Sequence, residues 1–200
     1  MNMINSKAPD FTSPAVLPNG TIDEDFTLSE VIEGRYAVIF FYPLDFTFVC
    51  PTELIAFHHR AGDFESRNTA LIGVSIDSQF SHLAWRKTPV NNGGIGELAY
   101  PLVADTTHNI VKAYGVQAPS GDVALRATFL IDRNGLIRHQ SINDLPLGRN
   151  VDEYLRLVDA LQFHEEHGDV CPAGWQSGAP AMKATTEGVA SYLKENAASL

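Results

Sequence analysis

Ala37-Val-Ile-Phe-Phe-Tyr-Pro-Leu-Asp-Phe-Thr-Phe-Val-Cys-Pro-Thr-Glu53 holds a strand, a loop and the start of a helix in one run. Residues 37–42 are continuously apolar and stop at Pro43, the pattern of a short strand buried on both faces. From Pro51 to about Arg67, the apolar residues Leu54, Ile55, Phe57, Ala61 and Phe64 recur at helical spacing. The loop between the two elements delivers Cys50 to the helix start.

Outward from this run, strand and helix patterns alternate. Thr69 to Ile76 reads as a second buried strand, and Ser78 to Lys87 as a helix stopped by Pro89. Asn91-Asn-Gly-Gly-Ile-Gly96 is loop, followed by a short strand at 102–104 and a short helix at 109–114. Val123 to Ile131 and Leu136 to Ser141 read as strands joined by the turn Asp132-Arg-Asn-Gly135. Val151, Tyr154, Leu155, Val158 and Leu161 mark an amphipathic helix that ends near Gly168. Asn19-Gly20 signals a hairpin within 14–28. The expected fold is therefore α/β, a mixed central sheet flanked by helices, with an N-terminal β appendage and a C-terminal extension. The expected division is a domain at 1–168 and an extension at 169–200 with one short helix near 186–196. Strand order is not legible at this level.

Composition narrows the function classes. The 200 residues carry 24 acidic and 14 basic side chains, a formal charge of −10. That balance repels phosphate backbones, and no basic cluster overrides it locally, which argues against nucleic acid as a partner. No apolar run approaches the roughly 18 residues of a membrane span, and the N-terminus lacks an apolar segment behind a basic start. The expectation is a soluble, cytoplasmic protein. Its two cysteines, Cys50 and Cys171, are too few for a disulfide-stapled scaffold.

Proline suits the first helical turn, where its missing N–H has no intrahelical partner. Pro51 therefore places Cys50 at or just before a helix N-terminus, where unpaired N–H groups and the helix dipole favour an anion. A thiol there is favoured as thiolate, its nucleophilic form. The competing reading, a buried cysteine acting as a small hydrophobe, does not explain this placement. Cys50-Pro-Thr-Glu53 lacks a second thiol three residues on, so dithiol exchange within the motif is impossible. Arg126 is the one charge in an otherwise apolar strand segment. Burying a guanidinium calls for an anionic partner, although a structural ion pair or an exposed edge strand would also account for it.

Pro43-x-x-x-Thr47-x-x-Cys50 with Arg126 downstream resembles the active-site signature of peroxiredoxins. Asp169-Val-Cys171-Pro-Ala-Gly-Trp175 resembles the typical two-cysteine subgroup, which includes bacterial alkyl hydroperoxide reductase C. The two motifs lie 121 positions apart, and the resemblance spans about Ala8 to Leu193. It implies a thioredoxin-like fold and a peroxidase without cofactor or metal. On that basis Cys50 attacks the peroxide and becomes sulfenic acid. Arg126 steadies the thiolate and the departing oxygen, while Thr47 orients the substrate. Pro43 shields the sulfur. Glu53 is sensible beside a thiolate only if it points at arginine, Arg126 and Arg149 being the candidates. Cys171, in a Gly/Pro-flanked segment, would resolve the sulfenic acid to a disulfide. The resemblance further implies an intersubunit disulfide, a homo-oligomer built as a pentamer of dimers, and reduction by thioredoxin or a dedicated flavoprotein disulfide reductase. Sensitive family members pair a Gly-Gly-x-Gly loop with a Tyr-Phe tail helix. Gly93-Gly94-Ile95-Gly96 and Tyr192-Leu193 match all but the second aromatic ring, which implies intermediate sensitivity to overoxidation.

Other signals carry less. His164-Glu-Glu-His167 has the wrong spacing for a zinc-protease helix, and Gly93-Gly-Ile-Gly96 is not a dinucleotide fingerprint. Trp85 reads as core or subunit interface. His58 lies two helical turns from Cys50, which makes a Cys-His hydrolase a weaker reading. A redox sensor or holdase with negligible turnover is the other alternative.

Overall fold

The computed structural model describes residues 2–200, except for the side chain of Ser199. It forms two compact units, Met1–Val151 and Asp152–Leu200. The first contains β1 (Thr12–Val16), β2 (Ile22–Thr27), α1 (Leu28–Val31), β3 (Tyr36–Phe41), α2 (Cys50–Glu65), β4 (Thr69–Ser75), α3 (Gln79–Lys87), β5 (Leu102–Ala104), α4 (Asn109–Ala113), β6 (Arg126–Ile131) and β7 (Ile137–Asn143). The second contains α5 (Val151–His167), apart from its first residue, and α6 (Thr186–Asn196).

The seven strands form one mixed sheet in the order β2-β1-β5-β4-β3-β6-β7. β3 is parallel to β4 and β4 to β5, whereas β3–β6, β6–β7, β1–β5 and β1–β2 are antiparallel. This is a thioredoxin-like sheet flanked by helices. Alternation along β3 shows how both faces are filled. Phe40 stacks on Phe57 of α2 with ring centroids 4.0 Å apart, while Phe41 turns to the opposite face, 5.2 Å from Tyr114 and 5.9 Å from Phe129. Gly73 in β4 is required by close packing, because a Cβ there would lie 2.8 Å from a Leu102 methyl.

Two expectations are refined. The N-terminal hairpin forms, with Gly20 at φ +81° in its turn, but β1 pairs with β5. The hairpin thus continues the central sheet. The strand expected from Val123 starts only at Arg126, because residues 123–125 bond locally instead: Ala118 N–H donates to the Val123 carbonyl and Leu125 N–H to that of Val116.

In the second unit α5 groups with the residues after it, whereas hydropathy places the division at 168/169. Apolar periodicity finds a helix but not what packs on it. Here Trp175 is 3% exposed, and its ring lies 4.9 Å from the Phe163 ring. Val170 and Met182 pair as an isolated bridge, which closes the intervening segment into a loop. α6 begins at a Thr185 cap on Gly188 N–H and has no buried residue.

Candidate active site

Cys50 is the first residue of α2 and is completely buried. Pro51 occupies the first turn, and the N–H groups of Thr52 and Glu53 both reach the Val49 carbonyl, at 3.0 and 3.3 Å. The helix start is thus built as Pro51 suggests, with the sulfur at its positive end.

Two arginines and one carboxylate set the charge around it. Arg126, the first residue of β6, points Nη1 at Cys50 Sγ (3.4 Å) and at Glu53 Oε2 (2.7 Å), while its Nε donates to the Leu145 carbonyl. Arg149 grips Glu53 through Nε (2.8 Å), Nη2 (2.9 Å) and its own backbone N–H (3.0 Å). Its Nη1 donates to the carbonyls of Phe41 and Ala127, and the guanidinium lies over the Phe40 ring. All three side chains are buried, at 5% or less exposed. Burial pushes the Glu53 carboxyl up, but the hydrogen bond and charge of Arg149, with the charge of Arg126, outweigh it and hold Glu53 below the usual carboxylate range. Two cations and one anion leave a net positive charge beside the buried Cys50 sulfur. Arg126 and Arg149 lie far from Cys50 in sequence, and Glu53 joins them.

Thr47 is half-buried, its hydroxyl 3.0 Å from Cys50 Sγ and 2.8 Å from the Leu44 carbonyl. A hydroxyl has one hydrogen and two lone pairs. When the hydrogen goes to Leu44, the lone pairs face the sulfur and can accept a proton from an incoming hydroperoxide. Pro43 is buried in the same loop. The structure therefore brings Cys50, Thr47, Arg126, Glu53 and Arg149 together, with Pro43 buried in the loop that leads to them.

Sequence reasoning missed the anchor of this loop. The Asp45 carboxylate accepts from the Tyr42 hydroxyl (2.9 Å) and the Ser81 hydroxyl (2.9 Å), and contacts His82 Nδ1 at 2.8 Å. Asp45 N–H donates to Asp77, and His82 Nε2 faces the Val103 carbonyl. Phe46, between Asp45 and Thr47, adopts φ +55°, which is unfavourable for a bulky residue. The anchored Asp45 holds the chain in that bend. The available signal was Asp45 itself, a carboxylate in an apolar run.

Cys171 lies in the second unit, with Sγ–H directed at the Ala160 carbonyl of α5 at 3.5 Å. Burial pushes its thiol up, against the opposing pull of Arg156. Both cysteines are free. The rival readings lose ground on geometry. His58 Nδ1 accepts the Ala99 N–H and is occupied away from Cys50. His164 and His167 bond to backbone carbonyls, and among the described residues no group of three or more His, Cys, Asp and Glu is arranged to hold a metal.

Comparison with known proteins agrees with this geometry. The AhpC/TSA family model matches residues 4–140, and the model of the C-terminal domain of 1-Cys peroxiredoxin matches residues 160–195. An alkyl hydroperoxide reductase C of Helicobacter pylori is 55% identical, covering 99% of this chain and 100% of that protein. Peroxiredoxin-1 of Gallus gallus is 50% identical, covering 96% of each chain. The crystal structure of reduced Plasmodium vivax 2-Cys peroxiredoxin superposes with a TM-score of 0.93 at 46% identity, over 97% of this chain and 100% of that one.

Proposed function

The chain belongs to the AhpC/TSA family and is a thiol-dependent peroxidase of the two-cysteine kind, and from that premise we propose that Cys50 is its peroxidatic sulfur and Cys171 its resolving one. The observation that carries the assignment is the convergence of Thr47 Oγ1 and Arg126 Nη1 on a buried Cys50 Sγ at a helix start.

The Cys50 thiolate attacks the terminal oxygen of a hydroperoxide, forming an S–O bond as the O–O bond breaks. The electron pair leaves on the distal oxygen, which takes the substrate proton and departs as alcohol or water. Arg126 stabilises the charge moving onto that oxygen. Thr47 passes the proton and aligns the peroxide, while Pro43 covers the sulfur. Glu53 and Arg149 act through Arg126, fixing its guanidinium. Once the sulfenate oxygen has taken a proton from solvent, Cys171 attacks the sulfenic sulfur, forming the disulfide while that oxygen leaves as water with the Cys171 proton. An external dithiol returns two electrons to complete the cycle.

The same proposal covers substrates and partners. Alkyl hydroperoxides, named in the bacterial relatives, and hydrogen peroxide are the substrate class. Thioredoxin or a dedicated flavoprotein disulfide reductase is the reductant. The disulfide forms between subunits of a homo-oligomer assembled from dimers, in keeping with β7, which leaves one sheet edge without a further strand among the described residues. No helix of the described residues is long and apolar enough to cross a membrane. We place the enzyme in the cytoplasm, where two free thiols stay reduced.

Stopped-flow mixing with hydrogen peroxide, followed by a non-reducing gel, tests the assignment. Cys50→Ser abolishes consumption, Cys171→Ser consumes about one equivalent and stalls as sulfenic acid, and oxidised wild type runs as a disulfide-linked dimer. Peroxide consumption by Cys50→Ser at the wild-type rate refutes the assignment.

A further inference from the structure

Cys171 is bracketed by two attachments to α5. Before it, His164 Nδ1 lies 2.9 Å from the Asp169 carbonyl, and after it Arg156 Nη1 donates to the Trp175 carbonyl at 3.0 Å. The two differ in strength. His164 is exposed, whereas the Arg156 side chain is 25% exposed and gripped by Glu153, one turn earlier, through two 2.7 Å bonds from Nε and Nη2. A guanidinium locked in this two-pronged way presents its remaining N–H without losing further side-chain freedom. The carbonyl it meets belongs to a tight turn, in which Trp175 N–H donates to the Pro172 carbonyl and Gly174 takes φ +67°. The Trp175 indole is buried beside Phe163 and donates to the Ala179 carbonyl. One side chain thus ties the turn that follows the sulfur to the helix that accepts its S–H.

As docked, Cys171 Sγ faces the Ala160 carbonyl and Cys50 is fully buried, so neither sulfur can enter a disulfide without release. We propose that Arg156 is a positioning residue of the resolution step, a latch whose bond to the Trp175 carbonyl keeps Cys171 docked on α5 and sets how often it is freed to attack the sulfenic acid. The proposal rests on Cys171 being the resolving cysteine. Sulfenic acid that waits for release is exposed to a second peroxide and to oxidation to sulfinic acid. The latch therefore sets the share of turnovers lost to inactivation.

Arg156→Lys keeps the charge without the planar fork, Arg156→Gln removes both, and Glu153→Gln frees the fork while leaving Arg156 in place. Reduced proteins are mixed with one equivalent of hydrogen peroxide and quenched in acid, and sulfenic acid and disulfide are scored by intact mass. Amide hydrogen exchange over residues 169–182 is measured on the same reduced proteins without peroxide. Loss of a charge-assisted hydrogen bond changes an opening equilibrium roughly tenfold. Both Arg156 variants are expected to form disulfide and to exchange about tenfold faster, with Glu153→Gln smaller in the same direction. Arg156→Lys and Glu153→Gln are expected to keep the wild-type pH profile of resolution, Arg156→Gln to move it to the alkaline side because the pull of the arginine charge on Cys171 is lost, and all three to accumulate less sulfinic acid in excess peroxide. Unchanged disulfide and exchange rates overturn the latch. So does slowing in Arg156→Gln that Arg156→Lys rescues, which assigns the arginine to charge on the sulfur. If wild type forms no Cys50–Cys171 disulfide, the underlying functional reading fails and the latch with it. Exchange that still quickens in the variants identifies that case.

Discussion

Glu53 and Arg149 meet through three hydrogen bonds of 2.8, 2.9 and 3.0 Å, with both side chains buried. The same carboxylate holds Arg126, so one residue orients both cations of the site. Removing one partner from such a pair strands a buried charge, which costs about 3–5 kcal/mol. Glu53→Gln is expected to lower urea-unfolding stability by that amount and to slow peroxide attack, because Arg126 loses its aim. Wild-type stability in a urea titration would count against a structural role for the pair.

The pH dependence of stability follows from the same residue. Glu53 binds its proton less readily folded than unfolded, because Arg149 and Arg126 favour its charged form. Its contribution is complete above the ordinary glutamate range and is lost as pH falls through the lowered folded value, a window below about pH 4. Thermal melts should show wild type losing stability across that window faster than Glu53→Gln, which has no proton to gain there. Parallel curves for the two proteins would remove Glu53 from the acid transition.

Arg126 and Thr47 should separate by kinetics. Arg126→Met removes the cation 3.4 Å from the sulfur and should slow single-turnover oxidation of Cys50 by about a hundredfold or more. Arg126→Lys should recover only part, since an ammonium cannot bond Glu53, the Leu145 carbonyl and the sulfur in one plane. Thr47→Val should slow the same step, whereas Thr47→Ser, which keeps the hydroxyl, should be mild. Wild-type rates for Arg126→Met in stopped flow would make the arginine purely structural.

Cys171 should react as a protected thiol. Burial raises its titration despite Arg156, so less of it is thiolate at neutral pH than of an unhindered cysteine. In Cys50→Ser protein, alkylation of Cys171 by iodoacetamide should be slower than that of a cysteine peptide and should keep rising on the alkaline side of the peptide's midpoint. Peptide-like rates at neutral pH would show that the docked environment has no hold on the sulfur.

The fold class and the placement of Cys50 at a helix start were legible because both depend on neighbours in sequence. Six apolar residues before Pro43 mark a buried strand, and Cys50-Pro51 ahead of a helical period marks a thiol at a helix start. Arg126 could be noticed as a lone charge, yet whether it was paired, exposed or aimed at sulfur could not be decided locally. The pairing of β1 with β5 and the grouping of α5 with the residues after it were equally out of reach. Hydropathy reports which face is buried and not what covers it.

Local chemistry thus determined a buried α/β core and a cysteine at a helix start. Tertiary structure alone decided which charges meet beside its sulfur. Phe41 and Ala127, neighbours of the site on β3 and β6, lie 86 positions apart, and their carbonyls both accept from Arg149 Nη1. Tertiary structure also placed Asp45 on Tyr42 and His82, holding Phe46 in a bend that its own preferences oppose. These contacts join residues brought together by strand order, and strand order follows from how whole faces pack, a property that no local window of sequence contains.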